Sequence, residues 1–266
     1  MVEKLKNLIS RCYLGLILLF LYAPILVLIV LSFNNSRSRV QWGGFTLDWY
    51  SRLFSNRQIM EALSMTLTLA FSSALIATVI GVLGALGIHA MRRKNYQLVM
   101  VCTNIPLLNA DIVTGIALML WFVNFMPLGY GSVLLAHITF NIPYVILSVM
   151  PKIRQMNLSL YEAARDLGAN AVYAFFKIIL PQLAGGIVAG FFMAFTMSMD
   201  DFVITYFTKG AGVNTLSMIY GEIRKGIKPE MYALSTIIFV FVFLVLLAVN
   251  YLPDRKGKAK KERVKG

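Results

Sequence analysis

Glu162-Ala163-Ala164-Arg165-Asp166-Leu167-Gly168, a spacer of nine residues, and then Ile178-Ile179-Leu180-Pro181 occupy a polar loop, residues 152–182, in a chain that is otherwise largely apolar. The first part favours a short helix, with an acid near its start. Gly168 ends it at a point where a backbone reversal needs a residue without a Cβ. Tyr173, Phe175, Phe176, Ile178 and Ile179 then supply an apolar surface ahead of Pro181, a residue tolerated at a helix start. A short helix with an apolar face, carried on a water-facing loop, is suited to dock in a groove of a soluble partner.

Outward from this loop the chain turns apolar on both sides. Six stretches, near 12–32, 62–91, 98–125, 131–150, 183–207 and 231–252, reach the roughly 20 residues that a bilayer-crossing helix needs. The whole chain of 266 residues is 58% hydrophobic and 14% charged. A water-soluble domain has about 45–50% apolar and about 25% charged residues, so a soluble enzyme is excluded. Cys12 and Cys102 both lie in apolar stretches, which excludes a disulfide scaffold. The first stretch is too long for a signal-peptide core, and Ser32-Phe33-Asn34-Asn35 offers no small-x-small cleavage site, so it reads as a retained helix. The second carries Ala70, Ala74, Ala77, Gly81 and Ala85 at near-helical spacing, a stripe that suits close helix packing.

The basic residues set the orientation. With the N-terminus cytoplasmic, 17 of the 25 Lys and Arg fall on the inner side and 8 on the outer, which places both termini inside. Residues 1–252 then form the membrane domain, with the loop 152–182 facing the cytoplasm. Residues 253–266 form a basic cytoplasmic tail that anchors the topology near anionic lipid rather than binding nucleic acid.

No phosphate-cradling G-x-x-x-x-G-K-[ST] loop, H-E-x-x-H, G-x-S-x-G or Cys/His ligand cluster occurs in the sequence. The expectation is a chain with no catalytic site, no metal and no cofactor of its own. His89 and His137 lie on different helices and read as packing or interfacial residues. The apolar stretches contain no Lys or Arg but do contain Asp111, Asp200 and Asp201. Carboxylates in a bilayer cost about 2.5–3.5 kcal/mol each on insertion scales and usually face a cavity or a partner. Counted along straight helices, Asp111 and Asp200 lie about 20 and 26 Å from the cytoplasmic ends. Adjacent Asp200 and Asp201 would point about 100° apart, one to the pathway and one to a neighbouring helix. Acids without buried bases point to a cationic solute, with Phe202, Tyr206 and Trp121 available for cation–π contacts. The alternative is structural, with these acids hydrogen-bonded to Ser198, Thr205 or Thr114.

The spacing Glu-Ala-Ala, three residues, Gly, nine residues, Ile-x-Leu-Pro resembles the coupling loop of ABC importer permeases. The resemblance extends to Trp42-Gly43-Gly44-Phe45-Thr46 with Trp49-Tyr50, Pro106 with Asp111-Ile112-Val113, and His137-Ile138-Thr139-Phe140 with Pro143. With Ser198-Met199-Asp200-Asp201 added, the chain is similar along its length to the second permease subunit of spermidine/putrescine importers. The resemblance implies an all-α integral membrane protein with six transmembrane helices, a type I importer permease fold and a cytoplasmic coupling helix. Glu162, Ala163, Ala164, Gly168, Ile178, Leu180 and Pro181 would meet an ATPase subunit, where ATP is used. Asp111, Asp200, Asp201, Phe202, Tyr206 and Trp121 would line the substrate pathway. The implied partners are a homologous permease, two copies of the ATPase, an extracytoplasmic polyamine-binding protein and membrane lipid, in a bacterial inner membrane. An importer of an opine, ferric ion or another amine is the nearest alternative. A secondary transporter or channel would have no reason to keep the coupling loop.

Overall fold

The computed structural model describes residues 2–36, 41–210, 212–216 and 229–251. The basic tail 253–266 and the loop cations Arg37, Arg39, Arg224, Lys225 and Lys228 lie outside the described residues. The regular structure among the described residues is helical, apart from one isolated antiparallel bridge between Asn34 and Phe45. The chain divides into two compact units, residues 1–60 with 223–266, and residues 61–222.

The first unit holds α1 (Val2–Ser32), α2 (Asp48–Ser55) and α11 (Glu230–Tyr251), with α11 packed on both others. The loop between α1 and α2 is organised by Asn34. Its amide donates to the Gln41 carbonyl at 2.9 Å and accepts from the amides of Ser36 and Gly43 at 3.1 and 2.8 Å. The Trp49 indole donates to the Asn34 carbonyl at 2.7 Å, and the Phe33 ring stacks on Phe45 at 5.4 Å. The Trp-Gly-Gly-Phe-Thr motif is thus a folded loop.

The second unit continues α3 (Arg57–His89) from Glu61 and adds α4 (Arg93–Leu108), α5 (Asp111–Phe122), α6 (Tyr130–Arg154) and α7 (Leu158–Asp166). It ends with α8 (Ala171–Ala174), a π-helical turn Phe175–Ile179, α9 (Leu180–Asp200) and α10 (Val203–Thr208). At its centre α6 packs against α3 and α9 along residues spaced by four, so one face of α6 forms the seam. The Ser198 hydroxyl sits 2.5 Å from His137 Nδ1 and 2.9 Å from the Ser73 hydroxyl. Two turns of α6 further on, Gly81 and Gly190 admit Val145, and one turn beyond that Gly186 admits Val149. Small residues at such crossings let backbones approach in a bilayer, where packing drives association. A Cβ on Gly81 would lie 2.7 Å from two carbons of Val145, a side chain with no exposed surface in which to retreat. Gly81→Ala should therefore destabilise the fold by about 1–3 kcal/mol. A thermal melt of the purified protein checks this, and an unchanged midpoint would contradict the seam.

Four helical runs are long and apolar enough to cross a membrane: Cys12–Ser32, Arg57–His89, Tyr130–Arg154 and Ala171–Asp200. Arg93–Leu108 and Asp111–Phe122 make a fifth when the bent pair is counted as one span. The sixth apolar stretch falls on α11, whose described apolar part runs over Glu230–Leu244.

Two straight spans expected from the sequence are broken. The third bends by 105° between α4 and α5. Pro106 lacks the N–H that its turn requires, and Asn109 and Ala110 adopt extended backbone, with ψ of 150° and 136°. Asp111 then opens a new helix, a favourable place for an acid. The fifth span does not start near 183 but at Ala171, and it runs through the π turn. That turn accommodates the proline: the Leu180 N–H reaches back to the Phe175 carbonyl, and the Gln182 side chain donates to the Ile178 carbonyl at 3.0 Å. The span then ends at Asp200 rather than at 207, because Asp201 takes extended backbone, with ψ 126°.

Candidate functional site

The loop 152–182 folds as a short helix packed on the segment that follows it. Asn157 caps α7 by accepting from the Ser159 amide at 3.0 Å, and α7 lies against α8 and the π turn. At the far end Gly168 has φ +85°. Its amide donates to the Arg165 carbonyl, and the Ala169 amide reaches the Ala164 carbonyl, both at 3.0 Å. These reverse bonds close the helix and require the left-handed conformation that glycine adopts without penalty. A Cβ on Gly168 would meet nothing within 4 Å, so the space over this glycine is open.

Glu162, Ala163 and Pro181 are exposed, whereas Ala164, Ile178 and Leu180 are half-buried and help to seat the helix. Leu167, which the sequence reading passed over, is 89% exposed beside the open glycine, and Tyr173 and Phe176 are exposed nearby in the chain. Leu167, Tyr173 and Phe176 thus leave apolar side chains bare around this turn. The sequence signal for this exposure was a leucine at a helix end, with only the small side chains of Ala163 and Ala164 three and four residues earlier to cover it.

The second cluster surrounds the break between α9 and α10. Asp201 turns inward: its carboxylate accepts from the amides of Ile204 and Thr205 at 3.2 and 2.8 Å and from the Thr205 hydroxyl at 2.8 Å. It thereby caps α10. His137 Nε2 lies 2.9 Å from the Thr205 hydroxyl and 3.5 Å from Asp201. Asp200, one residue earlier, is exposed. The two acids are therefore not neighbours on one helical face. They sit on either side of a break, Asp201 engaged with protein groups and Asp200 turned outward. Thr205 is the acid's partner, as the structural alternative anticipated, while Ser198 bonds to His137.

Asp111 is also exposed, as the first residue of α5. Its depth cannot be counted along a straight rod, because the 105° bend precedes it. One turn further on, Gly115 crosses α10 closely: a Cβ there would lie 3.1 Å from Phe207 and 3.4 Å from the Ile204 Cα. The structure therefore packs the helix that starts with Asp111 on the helix that follows Asp200. Phe202 and Tyr206 pair at 5.8 Å beside this break, both with exposed surface. Trp121 lies nearly three turns along α5 from Asp111, and its described ring contacts are with Phe122 and Phe125.

His137 belongs to the cluster although the sequence reading took it for packing. It has no exposed surface, and both ring nitrogens are bonded. Among the described residues no three His, Cys, Asp or Glu side chains converge as a metal site requires. Exposed carboxylates at two helix breaks, with aromatic rings beside one of them, can attract and pass a cation.

Apolar spans broken at carboxylates, joined to a short helix that carries exposed apolar side chains, are the architecture of a membrane component of a transport machine. Residues 77–258 match the family described as "Binding-protein-dependent transport system inner membrane component", and the chain belongs to that family. It is 37% identical over 248 residues to the spermidine/putrescine transport system permease protein PotC of Escherichia coli K12, covering 92% of this chain and 94% of the relative. It is 36% identical over 257 residues to the putrescine transport system permease protein PotI of the same strain, covering 92% and 90%. Among solved structures, a bacterial ABC transporter that imports the acidic polysaccharide alginate superposes with TM-score 0.71 at 14% identity, over 96% of this chain and 97% of the other. The inward-facing MetNI methionine ABC transporter gives 0.57 at 17% identity, over 76% and 95%. The fold is that of ABC importer permeases.

Proposed function

We propose that the chain is a permease subunit of an ATP-driven importer that carries polyamines, spermidine or putrescine, across the bacterial inner membrane. The observation that carries this reading is the identity of more than a third, over nine-tenths of the chain, to permeases named for those two solutes. The site supports it: a polyamine is a chain of ammonium groups on a flexible apolar backbone. Exposed Asp111 and Asp200, with Phe202 and Tyr206 beside the second, offer charge and ring faces to such a solute, and Trp121 offers a further ring. In a path shielded from bulk water each carboxylate–ammonium attraction is several-fold stronger than in solution.

The chain acts with a homologous permease, two copies of an ABC ATPase and an extracytoplasmic polyamine-binding protein. It binds no cofactor of its own, and ATP is hydrolysed by the ATPase. Glu162, Ala163, Ala164, Leu167 and Gly168 form the surface that the ATPase grips, seated by Ile178, Leu180 and Pro181. Closure of the ATPases pulls on this helix and shifts the permease between outward-open and inward-open populations. Both termini lie in the cytoplasm, residues 1–252 form the membrane domain and residues 253–266 the basic tail. Uptake of labelled spermidine by cells expressing the complete transporter tests the reading. Competition by excess putrescine, but not by an amino acid or ferric ion, is the expected result. Competition by ferric ion or an amino acid alone would discard the polyamine assignment and keep the importer.

A further inference from the structure

One side chain from outside the break in the fifth span reaches both of its sides. Ser198 precedes the break and Thr205 follows it, and His137, on α6, touches both: Nδ1 at 2.5 Å from the Ser198 hydroxyl and Nε2 at 2.9 Å from the Thr205 hydroxyl. The directions of the bonds follow from the partners. The Asp201 carboxylate can only accept, so the Thr205 hydroxyl donates to it at 2.8 Å. That leaves Thr205 a lone pair for His137, so Nε2 carries a hydrogen and donates. On the other side Ser198 is shared between His137 and Ser73, which lies 2.9 Å away on α3. The chain of bonds thus crosses α3, α6, α9 and α10 within the second unit. His137, Ser73, Ser198 and Thr205 are at most 2% exposed, so water does not replace these bonds when one is lost, and each missing partner leaves a buried polar atom unsatisfied.

A rigid imidazole with hydrogen-bonding atoms at two corners can tie two segments at a fixed separation. A flexible side chain of similar size ties them less firmly. Asp200 lies between the two tied residues as the last residue of α9, two positions after Ser198, so the bond from His137 to Ser198 holds the helix end from which it projects.

We propose that His137 is a positioning residue for transport: it staples the two sides of the break and so keeps the Asp200 carboxylate aimed into the substrate path while Asp201 remains engaged with α10. It acts through Asp200, not by touching the solute. For its transport readout this inference rests on the polyamine-importer reading, so the test has an arm that does not.

The complete transporter is reconstituted in proteoliposomes with spermidine-loaded binding protein at saturation, and spermidine moved per ATP hydrolysed is measured. His137→Leu and the gentler Thr205→Val, which keeps shape and removes only a hydroxyl, are expected to lower that ratio about tenfold, the effect of a hydrogen bond worth about 1.4 kcal/mol. His137→Gln, which keeps a donor and an acceptor on a flexible side chain, should recover part of the loss. In an Asp200→Asn background Thr205→Val should cause no further loss. An unchanged ratio in Thr205→Val, or an equal loss in both backgrounds, overturns the proposal, the latter because it marks a purely structural role. In the second arm the melting shifts of Thr205→Val and His137→Leu are measured singly and together. Coupled residues give a double variant little worse than the worse single, whereas additive shifts overturn the staple whatever the solute. If the unmodified transporter moves no spermidine, the polyamine reading fails and the melting arm still decides the role of His137.

Discussion

Gly168→Val is expected to abolish ATP-driven uptake while leaving the protein in the membrane. The glycine sits at φ +85° and closes α7 through the bonds of Gly168 and Ala169 to the carbonyls of Arg165 and Ala164. A β-branched residue in the left-handed region costs about 1–2 kcal/mol, and relaxation to a negative φ would break both bonds. The loop then leaves the geometry in which Glu162, Ala163 and Leu167 are presented together. The Cβ itself would point into the open space over the turn, where nothing lies within 4 Å. In the proposed assembly that space belongs to the ATPase, so strain in the loop and a clash with the partner act together. The helices of the membrane do not depend on this turn, and insertion should be unaffected. The measurement is uptake beside membrane content and co-purification of the ATPase. Wild-type uptake by the variant would remove the coupling role from this loop. Loss of the protein from the membrane would show instead that the turn is needed for folding.

The second large effect separates two adjacent acids that look equivalent in the sequence. Asp200→Asn should lower polyamine uptake about tenfold or more, the scale of one lost charge-assisted contact, with the melting temperature unchanged. Asp201→Asn should do the reverse in kind and lower the melting temperature first. Its carboxylate holds two backbone amides and a hydroxyl at 2.8–3.2 Å and lies 3.5 Å from His137. An amide in its place has only one acceptor oxygen and brings an NH₂ group among those donors. Uptake and thermal melts of both single variants decide the matter. If Asp201→Asn melts normally and fails only in transport, Asp201 faces the solute. If Asp200→Asn fails to assemble, the exposed acid is part of the scaffold.

The two predictions rest on features of different legibility. The local structure of the loop 152–182 could be read because its signal is local: a helix of nine residues, a glycine at its end and an apolar return all follow from near neighbours in the chain. The apolar stretches could be read for the same reason, since length and lack of charge suffice to require a helix in lipid. The breaks in two of those spans were not legible. Pro106, Asn109 and Asp111 each weaken or restart a helix, but whether the chain bends between them depends on which neighbours stabilise the bend. Asp201 is a helical residue by hydropathy alone. Its carboxylate becomes a cap only because Thr205 and His137 are there to receive it. The histidine was missed because a lone His on an apolar helix is ordinarily packing, and its partners lie 61 and 68 residues away.

The sequence by itself determined that this protein is built of bilayer-length apolar helices, that a short helix ends at Gly168 in its longest polar loop, and that the ionisable residues of its apolar stretches are acidic. Composition, helix length and the spacing around Gly168 are properties of short stretches, and short stretches carry them without help. Only the tertiary structure decided which acid is exposed and which is engaged, where the spans break, and that His137 joins the two sides of one break. Those outcomes depend on contacts between helices distant in the chain, where a hydroxyl within 3 Å of an imidazole determines the role of a carboxylate beside it.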